Sequence, residues 1–128
     1  MVLNEPTKKI AMVVDDDPVT QTFLRSVFVD MGYDVIFANN GREAASFFRG
    51  NISVITMDHN MPEMSGIEAT KAIRKRENAA RADAPVWIVG LTVHDDQETL
   101  AACLDAGMNH VITKPVSPDQ LKAYLSRI

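Results

Sequence analysis

Short apolar runs rich in β-branched residues alternate with helical signals along this chain, and that alternation constrains its fold more than any other feature. Ile10 to Val14, Tyr33 to Ala38, Ser53 to Met57, Trp87 to Leu91 and Val111 to Thr113 read as strands. A helix pattern follows each one. Strict alternation of this kind implies parallel strands joined by right-handed crossovers, with helices on both faces of one sheet. The expected architecture is a doubly wound α/β domain of five strands and five helices, without internal repeats, low-complexity tracts or linkers.

Local signals set the expected boundaries. Asp17 can cap a helix with Pro18 at its first position; Phe23, Leu24, Val27, Phe28 and Met31 form its apolar stripe, and Gly32 stops it. Asn39–Asn40–Gly41 reads as a turn before a short helix from Arg42 to Phe48 that ends at Gly50. Pro62 and Gly66 interrupt the next loop, Ile67 to Ala80 forms a third helix with Ile67, Thr70 and Ile73 on one face, and Asp83–Ala84–Pro85 ends it. Asp95–Asp96 favour the start of a helix that closes at Gly107. Ser117–Pro118–Asp119–Gln120 combines a capping box with proline at the first helical position and opens a last helix through Leu121 and Leu125. Residues 1–8 read as a flexible leader, leaving residues 9–128 as a single domain.

Composition narrows the function. At 128 residues, 46% hydrophobic and 23% charged, the chain can bury a core without disulfide or metal staples. Its net charge is −4 and it has no basic run, so it lacks the electrostatic footprint of a nucleic-acid binder. No apolar stretch approaches the roughly 18 residues of a membrane span, and Met1 to Lys9 is too polar for a signal peptide. A cytoplasmic location is expected. Cys103 has no partner for an internal disulfide, and its spacing with Leu100, Leu104 and Gly107 suits a buried helical thiol rather than a redox centre.

Function is concentrated where the strands end. The runs terminate at Asp15–Asp16, Asp58, Thr92 and Lys114, and in open parallel α/β sheets ligands gather at the carboxyl ends of strands. Three carboxylates brought together repel by about 4 kcal/mol per pair at about 4 Å and an effective dielectric of about 20, which calls for a cation. Oxygen-only donors suit a hard ion such as Mg²⁺, and no His or Cys cluster argues for zinc. An aspartate can also be a nucleophile that forms an aspartyl phosphate, given metal and cationic groups to offset the incoming charge. Each element alone has a plainer reading: an acidic pair after a strand is commonly a solvated loop or helix cap, and a Lys–Pro or a strand-end Thr is commonly structural. Their joint placement at successive strand ends carries the inference.

Val13–Val14–Asp15–Asp16, Met57–Asp58–His59–Asn60–Met61–Pro62–Glu63–Met64–Ser65–Gly66, Leu91–Thr92 and Thr113–Lys114–Pro115 resemble, in order and along the whole chain, the receiver domain of two-component response regulators. The resemblance implies a flavodoxin-like sheet of order 2-1-3-4-5. It implies that Asp58 accepts a phosphoryl group from a phosphohistidine on a histidine kinase or histidine phosphotransfer domain. It further implies that Asp16 and Asp58 bind Mg²⁺ directly, Asn60 through its backbone carbonyl and Asp15 through water. Thr92 would donate its hydroxyl to the phosphoryl oxygens and Lys114 would pair with them. The Lys114–Pro115 bond is cis in the family. Such a domain catalyses only its own phosphorylation and dephosphorylation, switches partner binding, and is a monomer or a phosphorylation-dependent dimer. The third helix running past Arg76 into Glu77–Asn78–Ala79–Ala80–Arg81, with Gly66–Ile67–Glu68–Ala69–Thr70 before it, is most like receivers of hybrid histidine kinases, although stand-alone receivers share both traits.

Three positions depart from that pattern. Val111 stands where many receivers carry a switch aromatic, so a Thr–aromatic coupling cannot operate in its usual form. Val93 is bulkier than the usual residue after the threonine and is expected to narrow access to Asp58; His94 follows it. His59 and His94 are read as exposed loop residues, and His110 as part of the edge of strand five. A rival reading is a haloacid-dehalogenase-like phosphohydrolase, because Asp15-x-Asp17 after a strand mimics that nucleophile and acid pair, but a late acidic pair after the lysine is missing. A second rival is a non-phosphorylated pseudo-receiver that only binds, against which the full set of phosphotransfer residues argues.

Overall fold

Strands and helices alternate as β1 (Ile10–Val14), α1 (Pro18–Asp30), β2 (Asp34–Ala38), α2 (Gly41–Phe47), β3 (Ile52–Asp58), α3 (Gly66–Ala80), β4 (Trp87–Thr92), α4 (Gln97–Ala106), β5 (His110–Thr113) and α5 (Pro118–Leu125). The computed structural model describes residues 9–61, 63–80 and 84–128. The expected leader, the loop breaker Pro62 and the Asp83 end of the third helix lie outside the described residues. The five strands form one parallel sheet in the order β2-β1-β3-β4-β5, as the resemblance implied.

The pleat divides each central strand between two cores. Met12 and Val14 of β1, Ile55 and Met57 of β3 and Ile88 of β4 pack with Ala44, Phe48, Ala69, Ile73 and Cys103 of the α2, α3 and α4 side. Ala11, Val13, Val54, Val89 and Leu91 point to the other face, against Leu24, Val27, Phe28, Leu121 and Leu125 of α1 and α5. Alternation between two apolar layers explains why these strands read as continuous hydrophobic runs. Cys103 is buried in the first core, where burial raises its thiol pKa, in keeping with the inert reading.

Several boundaries differ from expectation for local reasons. Asn40 is the N-cap of α2 rather than part of a turn: its side chain accepts from Glu43 N at 2.8 Å, so the helix begins at Gly41. Tyr33 lies outside β2; its N–H bonds to Phe28 O at 3.0 Å and its ring meets Phe28 edge-on at 5.3 Å, closing α1. β3 and β4 each run one residue further than expected, because the ladder continues through the pairs Asp58–Leu91 and Thr92–Thr113. Asp58 and Thr92 are therefore fixed by the sheet itself.

Glu77 is the largest surprise on the helices. Placed by sequence in a polar extension of α3, it is buried, and its carboxylate accepts from Val86 N at 2.5 Å and from Arg74 Nη1 at 2.7 Å. Arg74 also donates to Val86 O at 2.8 Å, to Gly107 O at 3.0 and 2.8 Å and to Asn109 Oδ1 at 2.9 Å. This network ties α3 to the start of β4 and the end of α4. Gly107, at φ 118°, terminates α4 in the left-handed region that glycine adopts without strain.

Candidate functional site

β1 and β3 are neighbours, so their carboxyl ends bring Asp15, Asp16 and Asp58 together. Each offers one carboxylate oxygen within 4.8 Å of the others. Asp58 and Asp15 are buried, at 5% and 1% exposure, while Asp16 is open to solvent. Lys114 follows β5 and reaches back across β4, placing Nζ 3.1 Å from Asp58 Oδ1 and 3.8 Å from Asp15 Oδ2. Its backbone N–H donates to Thr92 O at 2.7 Å, which sets the lysine beside the threonine, and the Lys114–Pro115 bond is cis.

The backbone after Asp58 is pinned at both ends of its loop. His59 N donates to Leu91 O at 2.9 Å and Gly66 N donates to His59 O at 3.1 Å. A Cβ at position 66 would collide with the Asp58 carbonyl oxygen, so the glycine of this motif is required by close backbone approach. Thr92 is buried, and its Oγ1 accepts from His94 N at 3.1 Å and lies 3.5 Å from His59 Nδ1. Asn60 and His94 are exposed, with Asn60 Nδ2 3.4 Å from His94 Nε2. His94 is exposed as expected, whereas His59 is half-buried, and the two rings meet edge-on at 5.7 Å. Val93 is exposed and lines a groove beside Lys114 with Phe23, Leu24, Pro115 and Val116. Val111 packs against the first core, and His110 sits exposed at the edge, stacked on Tyr124 at 4.2 Å.

The donor set fits a hard divalent cation. All three carboxylates offer oxygen, and Asp15 Oδ2 is buried without a hydrogen-bond partner although Lys114 stands nearby. Burial raises the Asp15 pKa, assisted by the Asp58 charge and opposed by the bond from Asp17 N and by Lys114. Asp17 plays a different part. It caps α1, accepting from Val19 N and Thr20 N at 3.3 Å and from Thr20 Oγ1 at 2.7 Å, and these bonds, the Thr20 hydroxyl first, lower its pKa.

The raised Asp15 pKa has a defined consequence for the metal-free protein. A carboxyl held more tightly protonated in the folded state favours folding below its unfolded pKa and loses that contribution as pH rises through the folded value. Ionising Asp15 as the pH rises therefore costs stability. Asp15→Asn keeps an oxygen for Asp17 N and should raise metal-free stability at neutral pH, measured as a higher urea midpoint. A lower urea midpoint at neutral pH would contradict this account.

A five-stranded doubly wound sheet of this order, with an acidic cluster, a threonine and a lysine at its strand ends, is the flavodoxin-like arrangement of receiver domains. Residues 11–126 match the response regulator receiver domain model, and the chain belongs to that family. It is 35% identical over 126 residues to hybrid signal transduction histidine kinase C of Dictyostelium discoideum, covering 95% of this chain and 10% of that protein. The chain thus spans about a tenth of that relative's length. The receiver domain of Ssk1, solved with the histidine phosphotransfer protein Ypd1 of Saccharomyces cerevisiae, superposes with TM-score 0.83 at 34% identity, covering 94% of this chain and 86% of that one. The receiver domain of sensor histidine kinase PA1611 from Pseudomonas aeruginosa, with magnesium coordinated in its active-site cleft, gives TM-score 0.78 at 32% identity, covering 94% and 97%. The chain is a phosphorelay receiver. Among the described residues no helix is long and apolar enough to cross a membrane.

Proposed function

We propose that Asp58 is the phosphoacceptor and that its phosphorylation requires Mg²⁺. The observation that carries this reading is the Asp58 carboxylate held at the end of β3, paired with Lys114 and faced by Asp15 and Asp16. An Asp58 oxygen attacks the phosphorus of a partner's phosphohistidine; the P–N bond breaks and the imidazole keeps the electron pair and takes up a proton. Lys114 pairs with the transferred oxygens, and the Thr92 hydroxyl turns from its resting contacts to donate to them. Asp16, Asp58 and the Asn60 carbonyl would hold the ion, with Asp15 acting through water. The metal supplies positive charge against the carboxylates and the incoming phosphoryl group. The domain catalyses only its own phosphorylation and dephosphorylation, in the cytoplasm, within a single unit from residue 9 to 128.

Asp17 weighs against the phosphohydrolase rival. That chemistry needs it as an acid, whereas here its carboxylate is engaged as the α1 cap. The decisive experiment is intact-mass analysis after incubation with a small phosphodonor: one phosphoryl group should be gained with Mg²⁺ and none with a chelator. Steady turnover of a phosphate ester without accumulation would favour the rival instead.

The proposed partner is a helical histidine phosphotransfer or kinase dimerisation domain that docks on α1 and the loops around Asp58. Supporting this, Val19 is 77% exposed at the start of α1, and an apolar groove of about 450 Å³ runs from Thr20 and Phe23 to Val93 and Pro115 beside Lys114. Chemical-shift mapping with a phosphotransfer domain should perturb Val19, Phe23, Val93 and Val116. Shifts confined to the C-terminal half of α5 would refute this docking mode.

A further inference from the structure

Asp16 must be placed by its backbone, because its exposed carboxylate takes no hydrogen bond from the described residues. The side chain that grips this backbone is Gln21, one turn into α1. Its Nε2 donates to the Asp15 carbonyl oxygen at 2.6 Å and to Asn39 Oδ1 at 2.9 Å, using both amide hydrogens. Asn39 is itself fixed, since its N–H donates to Glu43 Oε1 at 2.8 Å at the start of α2. Asp15 N donates to Ala38 O at 3.0 Å on the same side. One amide therefore joins α1, the end of β1 and the loop between β2 and α2.

We propose that Gln21 is a positioning residue for the metal site: by holding the Asp15–Asp16 peptide between α1 and Asn39, it sets where the Asp16 carboxylate stands relative to Asp58, without touching the ion. The inference rests on the Mg²⁺ reading above. A carboxylate on a strand-end loop loses affinity for a small, geometrically demanding cation when its peptide is free to rotate, because the ion must then order the loop as it binds. A Gln21 that merely stabilised the fold would lower apo stability and leave metal affinity unchanged.

The test is calorimetric titration of Mg²⁺ into the full chain as wild type, Gln21→Leu, Gln21→Glu, Asn39→Ala and the Gln21→Leu/Asn39→Ala pair, with urea unfolding of each metal-free protein. Gln21→Leu should weaken Mg²⁺ binding about 10-fold, the low end for groups that orient a metal's ligands. Gln21→Glu should also weaken it, although its extra negative charge alone would tighten it, because it has no hydrogen to give to the Asp15 carbonyl. The double variant should bind no more weakly than Gln21→Leu, since both changes break one bridge. An unchanged dissociation constant in Gln21→Leu, or a tighter one in Gln21→Glu, overturns the proposal. Failure of the wild type itself to bind Mg²⁺ would instead overturn the metal-site reading on which it rests.

Discussion

Asp58→Asn should incorporate no phosphoryl group above background under conditions where the wild type takes up one per chain. The amide is nearly the same size as the carboxylate and retains an oxygen for Lys114 Nζ, which lies 3.1 Å from Asp58 Oδ1. What is lost is the anionic nucleophile. The fold should persist, because Asp58 is held by the β3–β4 ladder and the change removes one charge from a crowded acidic cluster. Mg²⁺ stabilises the native state by mass action, so it should raise the urea midpoint of the wild type much more than that of Asp58→Asn. Intact mass and urea titration on the same samples separate chemistry from folding. Full incorporation by a folded Asp58→Asn would place the acceptor elsewhere and remove the basis of the proposed mechanism.

Much of this arrangement is legible in the sequence because its determinants are local. Strand runs such as Ile10–Val14 and Trp87–Thr92 are apolar on both faces, and caps such as Asp17 and Ser117 sit beside the prolines that open their helices. The site residues are legible for a related reason. A parallel sheet gathers strand ends at one edge, so the last residue of each run is positioned by topology alone. The exact extents of β3 and β4 were not readable, because whether Asp58 and Thr92 belong to strand or loop depends on pairing with Leu91 and Thr113 far along the chain.

The polar residues that brace the structure were harder to see, since their partners come from other elements. Gln21 looks like one more solvent-facing position of α1 until Asn39 and the Asp15 carbonyl are brought to it. Glu77 did leave a trace. It falls four residues after Ile73, on the stripe that runs through Gly66, Ala69, Thr70 and Ile73, and an acid on an apolar stripe needs a buried partner. Arg74, three residues before it, supplies the charge, while the Val86 N–H that completes the pair follows the α3–β4 connection.

Glu77→Ala should accordingly be among the most destabilising changes outside the apolar cores. It leaves the buried Val86 N–H without an acceptor, at about 1–3 kcal/mol, and takes the carboxylate from Arg74. Breaking a fully buried ion pair costs about 3–5 kcal/mol, but the Arg74 side chain is 19% exposed and keeps its bonds to Gly107 and Asn109, so water and carbonyls absorb part of that loss. The expected total is about 2–4 kcal/mol. Glu77→Gln, which preserves one acceptor but not the charge, should lose about half as much, roughly 1–2 kcal/mol. The measurement is urea unfolding at neutral pH with the slope m checked against wild type, so that a midpoint shift reports stability rather than a changed unfolded state. Because the network lies at the opposite ends of β4 and β5 from Thr92 and Lys114, phosphorylation of the folded variant should keep its wild-type Mg²⁺ dependence. A Glu77→Ala protein within about 0.5 kcal/mol of wild type would show that the carboxylate adds little to the fold, and the bracing assigned to Arg74 would then rest on the Gly107 and Val86 carbonyls and the Asn109 side chain.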